Sequence, residues 1–391
     1  MDTLDPNRTL RLIVTGGGTG GHTYPALTAV RTLHARLSTS GRTLETLWVG
    51  TADGLEARVA AAEGIPFAPV ATGKLRRSGN PLKLMSPANM KDMGRVPLGV
   101  VQARSVISHF RPDVVLATGG YVAVPVGLAA RLCRHPLVVH EQTVRLGLAN
   151  RTLAPRATRI AVSSESTLPL LPESARAHAV VTGNPVRPEV LEGQANRAIT
   201  ALGLHGFDRA LPTVYVTGGA QGSQQINTVV RALLPWLLTR ANVIHQCGTA
   251  NLTDLRRETA HLPPIAAARY LLTDFIGPEL PDVLALADVV VSRSGAGTIA
   301  ELTALGKAAV FIPLASSAGN EQAHNARHLV DADAAVALFG EVTPGALQEA
   351  MTQLLADPVL RKDMASRARA LGRPDAADRL VDVLLSAISY V

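Results

Sequence analysis

The sequence predicts an α/β protein made of two doubly wound parallel-sheet domains facing a cleft. Three observations predict it. Short apolar runs alternate with stretches of helical period along the chain, the pattern of strands joined by crossover helices. The opening move occurs twice. RLIVTGGGTGGHTYPALTAVRTL from Arg11 and PTVYVTGGAQGSQQINTVVRALL from Pro212 each read as strand, Thr-Gly-Gly turn and helix, with Thr15 and Thr217 in equivalent places. Finally, 391 residues exceed one ordinary domain and suit two of roughly 150–200 residues.

RLIV is a short apolar run ending at a glycine turn, and PALTAVRTLHARL repeats apolar residues at helical spacing. LETLWVG, PDVVLATGG, HPLVVHEQ, TRIAVSS and HAVVTGNP supply further strands, apolar on both faces as a covered parallel sheet requires. VTGNPVRPEV, 181–190, carries Asn184-Pro185 and Arg187-Pro188, the punctuation of a linker. The first domain is therefore expected over 1–184 and the second over 185–370, with NVIHQCG, ARYLLTDFI, DVVVSRSG and AAVFIP as the later strands. One segment departs from the pattern. KLRRSGNPLKLMSPANMKDMGRV, 74–96, is basic and rich in Leu and Met. It reads either as a loop and helix packed on its own domain or as a patch resting on an anionic bilayer.

Composition narrows the function. Hydrophobic residues make up 47% and charged residues 18%, so a folded globular chain is expected. The net charge of +7 points to an anionic partner, with a solvated basic surface as the plainer reading. Aromatics at 3% argue against a protein that stacks single-stranded bases, and nucleic acid is not expected as a partner. Cys133 and Cys247 stand far apart in no metal-like spacing, which fits a reducing compartment. The start MDTLDPNRTL is polar and acidic, unlike a signal peptide, and no stretch offers about 20 unbroken apolar residues.

The residues that can do chemistry gather at glycine turns. Gly16, Gly18 and Gly21 satisfy the dinucleotide fingerprint, yet no acid stands at the end of the next strand, where LETLWVG closes on Gly50 and the next acid is Asp53. Turns at 15–21, 217–223 and 292–298 each lead into a helix, whose free N–H groups favour a diphosphate. Glu301, about one turn into the third helix, is placed to accept both hydroxyls of a ribose, or else is an acid favoured by the helix dipole. His22, at the first helix start, is the candidate general base, because the positive helix end disfavours an added proton. No G-x-S-x-G, Walker or zinc-like pattern occurs, and Asp331-Ala332-Asp333 reads as a solvated helix surface. No metal and no cofactor are expected. The combination points to glycosyl transfer from a nucleotide-sugar, with the leaving diphosphate stabilised by helix N–H groups.

In order along the chain, GGTGGHTYPAL (17–27), PDVVLATGGYVAVP (112–125), VVHEQ (138–142), VTGNPVR (181–187), TGGAQGSQQIN (217–227), DVVVSRSGAGTIAE (288–301), EQAHNAR (321–327) and PDAADRLV (374–381) resemble the MurG family of lipid II-forming N-acetylglucosamine transferases. The resemblance implies a glycosyltransferase-B fold whose C-terminal helix, 371–391, returns to the first domain. It implies UDP-N-acetylglucosamine as donor, lipid I as acceptor, inversion to a β-1,4 link, and a peripheral place on the anionic cytoplasmic face of the membrane, reached through 74–96. Ile276 would meet uracil through its backbone, Glu301 would hold the ribose, and Ser294, Gly295, Ala296, Gly297 and Thr298 the diphosphate. Arg187 would help at the nucleotide and Gln322 at the sugar hydroxyls. Gly18, Thr19, Gly20 and Gly21 would line the junction of the lipid I diphosphate and the donor sugar, with His22 as base. Tyr121, Glu141 and Asn227 match positions that the family uses around the cleft.

Two positions depart from the family pattern. Thr143 replaces the Asn of H-E-Q-N at the acceptor and donor-sugar edge, and Ala220 lacks a hydroxyl near the phosphates, with Ser223 as a candidate to compensate. They keep open a related UDP-sugar transferase with a different lipid or small-molecule acceptor. A dinucleotide oxidoreductase and a nucleic-acid binder are the readings from other classes.

Overall fold

The computed structural model describes residues 8–73 and 87–389, with the side chains of 87–93 and of Ala318 outside that description. The chain divides into two compact units, Met1–Pro185 with Asp375–Val391, and Val186–Pro374. Most of the segment 74–96 lies outside the described residues; its last part belongs to the helix Pro87–Phe110.

The first unit holds seven strands: β1 Leu10–Thr15, β2 Leu44–Gly50, β3 Phe67–Pro69, β4 Val114–Ala117, β5 Leu137–Glu141, β6 Arg159–Val162 and β7 Ala179–Val181. They pair in the order β3-β2-β1-β4-β5-β6-β7, and every pairing is parallel. The strand sequences explain why both faces are covered. Leu12 and Val14 of β1 and Val114 and Leu116 of β4 enter one core with Leu27, Val30 and Leu33 of the helix Gly20–Thr39. The alternate residues Ile13, Val115 and Ala117 enter a second core with Ala103, Ile107 and Val126 on the opposite face. A period of two that is apolar at every position is thus a strand buried twice. The C-terminal helix Ala376–Ile388 closes the first core with Leu380, Val381, Leu384 and Ala387.

The second unit repeats the design. β8 Thr213–Thr217, β9 Asn242–Gln246, β10 Tyr270–Thr273, β11 Val289–Ser292, β12 Ala308–Phe311 and β13 Val336–Ala337 pair in the order β10-β9-β8-β11-β12-β13, again all parallel. Val214, Val216, Val289 and Val291 face one core, and Tyr215, Val290 and Phe311 the other. In both sheets the strand order reverses beside the first strand, between β1 and β4 and between β8 and β11. Ligands of open α/β sheets bind beyond the strand C-termini at such a reversal. Thr15 and Thr217, equivalent in the sequence, end β1 and β8 there. Asp331 and Asp333, read as a helix surface, instead follow the end of the helix Glu321–Val330, and Asp333 takes the left-handed backbone that Asp tolerates.

Candidate functional site

At the β1/β4 reversal the glycine turn leads from Thr15 to the helix Gly20–Thr39, with Thr19 as its extended N-cap residue. Not all of the turn is open to an anion. Gly17 N–H donates to Gly119 O at 3.3 Å and Gly18 N–H to Glu56 Oε2 at 3.1 Å. Gly20 and Gly21, in the first turn, have no intrahelical carbonyl to meet, so theirs are the N–H groups that this turn offers. The expectation that Gly18 lines a diphosphate is corrected to that extent. Glu56 is not marked by the dinucleotide spacing, which points to the end of β2. It stands in the first turn of the next helix, Leu55–Ala62, and its buried carboxylate reaches back. Burial pushes its pKa up, but bonds from Thr51 Oγ1 at 2.6 Å, Thr51 N–H at 3.0 Å and Gly18 N–H outweigh that, and the net direction is down.

His22 sits in the same first turn, half-buried. Its Nδ1 lies 2.9 Å from Thr118 O and 3.0 Å from Gln142 Oε1. The orientation of the Gln142 amide follows from its other end, where Nε2 donates to His140 O at 2.9 Å. Two acceptors thus face Nδ1, which must donate, and the lone pair of a neutral imidazole is left on Nε2. Gly119 makes room for the ring: it holds φ +111°, and a Cβ there would lie 2.8 Å from His22 Nδ1.

Glu141 and Thr143 turn inward. Glu141 Oε1 accepts from Thr143 N–H at 3.0 Å, and Oε2 from Gly147 N–H at 2.8 Å and Asn150 Nδ2 at 3.0 Å. The Thr143 hydroxyl faces Glu141 Oε1 and the Arg145 carbonyl within its own loop. Expected at a sugar edge, it instead helps shape the loop after β5. Tyr121 stands 44% exposed between the glycines after β4 and the helix Ala123–Leu132.

At the β8/β11 reversal, the helix Ala296–Leu305 follows the N-cap Gly295. Ala296, Gly297 and Thr298 present first-turn N–H groups, while Ile299 N–H already returns to Gly295 O. The Ser294 hydroxyl is buried and donates to Gln322 O at 2.8 Å, so the turn offers an anion its backbone and not this side chain. Arg187 Nε and Nη2 both donate to Glu301 Oε1, at 3.2 and 2.9 Å, which leaves Oε2 outside that pair. Gln322 Oε1 accepts from Leu314 N–H at 2.9 Å. The N–H of Ile276 is taken by Gln246 Oε1 at 3.0 Å, so a base meeting this backbone would find its carbonyl. Ala220 is exposed beside Gly219.

Two expectations change in this unit. Asn227 is 3% exposed, donates to Cys247 O at 2.9 Å and faces His245 Nε2 at 3.0 Å through Oδ1, so it braces the interior instead of lining a cleft. Ser223 cannot stand in freely for the hydroxyl missing at Ala220. Its Oγ accepts from Ile226 N–H at 3.3 Å as the cap of the helix Gln224–Leu237 and from Arg293 Nη2 at 2.7 Å. Arg293, unnoticed within SRSGAGT, ties this cap to the carbonyls of Ile312 and Pro313 at 2.8 and 3.1 Å. Gly222 holds φ +75°, and a Cβ there would fall 1.8 Å from Cys247 O. Among the described residues no group of three His, Cys, Asp or Glu is placed to hold a metal ion.

Two imidazoles lie fully buried, His140 in β5 and His245 in β9, and burial pushes each pKa down to about 4. The folded pKa lies below the unfolded value of 6.5, so the unfolded chain binds more protons in between. Stability is therefore expected to fall as pH drops from 6.5 towards 4, by an order of about 3 kcal/mol per imidazole. Thermal denaturation from pH 7 to pH 4.5 checks this. A midpoint that stays level across that window would mean that the two rings are not buried in neutral form.

The sequence matches the model of the glycosyltransferase family 28 N-terminal domain over residues 12–162 and that of the family 28 C-terminal domain over residues 213–380. It is 34% identical over 380 residues to a UDP-N-acetylglucosamine–N-acetylmuramyl-(pentapeptide) pyrophosphoryl-undecaprenol N-acetylglucosamine transferase of Halothermothrix orenii, covering 96% of this chain and 98% of that one. The transferase of the same name from Bacillus licheniformis is 36% identical over 377 residues, with coverage of 96% and 98%. Among solved structures, Acinetobacter baumannii MurG superimposes with a TM-score of 0.73 at 26% identity, covering 96% of this chain and 99% of that one. The calicheamicin glycosyltransferase CalG4, at 15% identity and a TM-score of 0.68 with coverage of 98% and 99%, shares the fold. On full-length likeness to the named transferases and two family models in chain order, the chain belongs to the MurG family of glycosyltransferase family 28.

Proposed function

We propose that the chain is an inverting transferase that moves N-acetylglucosamine from UDP-N-acetylglucosamine to the muramyl C4 hydroxyl of lipid I, forming lipid II for peptidoglycan synthesis. The observation that carries the chemistry is the seat of His22, with Nδ1 donating and Nε2 bare. The bare nitrogen takes the proton of the acceptor hydroxyl as its oxygen attacks the anomeric carbon, and the bond from that carbon to the UDP oxygen breaks. Charge developing on the departing diphosphate is met by the N–H groups of Ala296, Gly297 and Thr298. Glu301 Oε2, outside its pair with Arg187, receives the ribose hydroxyls, the Ile276 carbonyl accepts from the uracil N3–H, and Gln322 Nε2 reaches the sugar. The first unit takes lipid I at Thr19, Gly20 and Gly21, and the second takes the donor.

Lipid I lies in a membrane, and we place the enzyme peripherally on the anionic cytoplasmic face. No described helix is long and apolar enough to cross a bilayer. Leu98 and Val101 of the helix Pro87–Phe110 are 51% and 67% exposed, each three residues from an arginine, Arg95 or Arg104. That pairing of apolar and basic side chains suits a headgroup region. The test is incubation of the purified chain with radiolabelled UDP-N-acetylglucosamine and lipid I in detergent. Transfer of label to the lipid phase supports the reading. Transfer to a different lipid or small molecule, with none to lipid I, would replace the acceptor.

A further inference from the structure

We propose that Gln142 and His140 are positioning residues for His22, forming an uncharged relay from the Gly183 carbonyl that fixes the His22 proton on Nδ1 and leaves Nε2 as the reacting lone pair. The inference rests on His22 being the general base.

Every polar atom along the relay has one consistent assignment. Gln142 Nε2 is 2.9 Å from His140 O, which only accepts, so the nitrogen and not the oxygen of the amide lies there. The second proton of that Nε2 points to His140 Nδ1 at 3.1 Å. His140 therefore carries its own proton on Nε2 and donates it to Gly183 O at 3.1 Å. The same His140 carbonyl also accepts from Asn150 Nδ2 at 3.0 Å, which holds it in place. Turning the Gln142 amide over would set its oxygen against that carbonyl and bring N–H protons against the His22 proton. The relay thus resists inversion at both ends, and donors aligned in sequence polarise one another.

Its lack of charge is the functional point. His140 is fully buried and its pKa is pushed down to about 4, so the relay carries no charge near neutrality. A carboxylate in the place of Gln142 would favour the imidazolium and leave less of the ring in the neutral form that takes a proton; the amide orients the ring without that pull. The local sequence explains the geometry. His140 and Gln142 are two residues apart on extended chain at the end of β5, so both point to the same side. The titratable groups around His22 are His140 along the relay, Glu141 behind Asn150, Glu56 behind Gly18, and Tyr24 on its own helix.

The test is 15N-detected NMR of the histidine rings in the full chain, with His22 assigned through His22→Gln, together with pH profiles of kcat/KM. In the parent, neutral His22 is expected to carry its proton on Nδ1; a ring protonated on Nε2 would overturn the relay. Gln142→Glu is expected to move the His22 titration to higher pH by about one unit, and the acid limb of kcat/KM with it. An unmoved His22 titration in folded Gln142→Glu would overturn the proposal. Gln142→Met guards against misfolding, since it keeps the volume and removes the acceptor. It is expected to lower kcat about tenfold with donor KM unchanged, and an unchanged kcat counts against the relay. If the ring behaves as expected while the acid limb does not follow it, the relay stands and His22 as general base falls.

Discussion

His22→Ala is expected to lower kcat by about 10²–10⁴-fold, the span of a positioned general base, while UDP-N-acetylglucosamine binds as before. The two halves of that expectation have separate causes. The imidazole is the group in its turn with a bare nitrogen, while Thr118 O and Gln142 Oε1, which face its Nδ1, are neutral oxygens that take no proton near neutrality. The proposed donor groups, Arg187, Ile276, Glu301 and Gln322, belong to the other compact unit, so their geometry does not depend on the ring. His22→Gln should fare as badly as His22→Ala, because an amide can occupy the seat but cannot take the proton. Calorimetric titration with donor and single-turnover transfer to lipid I would measure the two halves. A loss of donor affinity as large as the loss of rate would mean that the ring touches the sugar and is not primarily a base.

The layout was legible because it rests on period and punctuation. Leu12, Ile13 and Val14 are apolar in succession, and a strand buried on both faces has to be. The match of Thr15 with Thr217 marked two equivalent glycine turns, and the strand orders put both at a sheet reversal. β3 and β13 are not legible because FAP includes a proline, a poor strand residue, and VA is only two residues long.

The site was legible only in part. His22 stood out because a histidine among glycines at a helix start has little else to do. Gln142, Asn150 and Glu56 did not, because what matters about them is the atom each one faces, and those partners lie on other strands and turns. Motif resemblance does not say which way a side chain turns. Asn227 occupies a matched position and Thr143 a departing one, yet the polar atoms of both bond to backbone and side chains of their own unit. A sequence motif records that a residue is needed, and hydrogen-bond partners are required to say whether a ligand or the scaffold needs it.

Glu301→Gln is expected to weaken UDP binding by roughly 10–100-fold, the loss of one or two hydrogen bonds to a charged acceptor. Two mechanisms could produce such a loss, and they differ in what the nucleotide feels. In the first, the carboxylate accepts the ribose hydroxyls, and an amide accepts only one of them. In the second, Arg187, which donates twice to Glu301 Oε1, loses its partner and the local structure shifts. A cycle with 2′-deoxy-UDP separates them. If the carboxylate holds the ribose, the parent discriminates against the deoxy compound and Glu301→Gln loses most of that discrimination, because the hydroxyl no longer has a charged partner to miss. If the ion pair is the cause, both nucleotides weaken together and the discrimination persists in full. Arg187→Ala completes the square. It removes the pair and leaves the carboxylate, so discrimination should survive at reduced affinity when the ribose contact is real. Full discrimination in Glu301→Gln would move the ribose elsewhere in this unit and leave Glu301 as the anchor of Arg187.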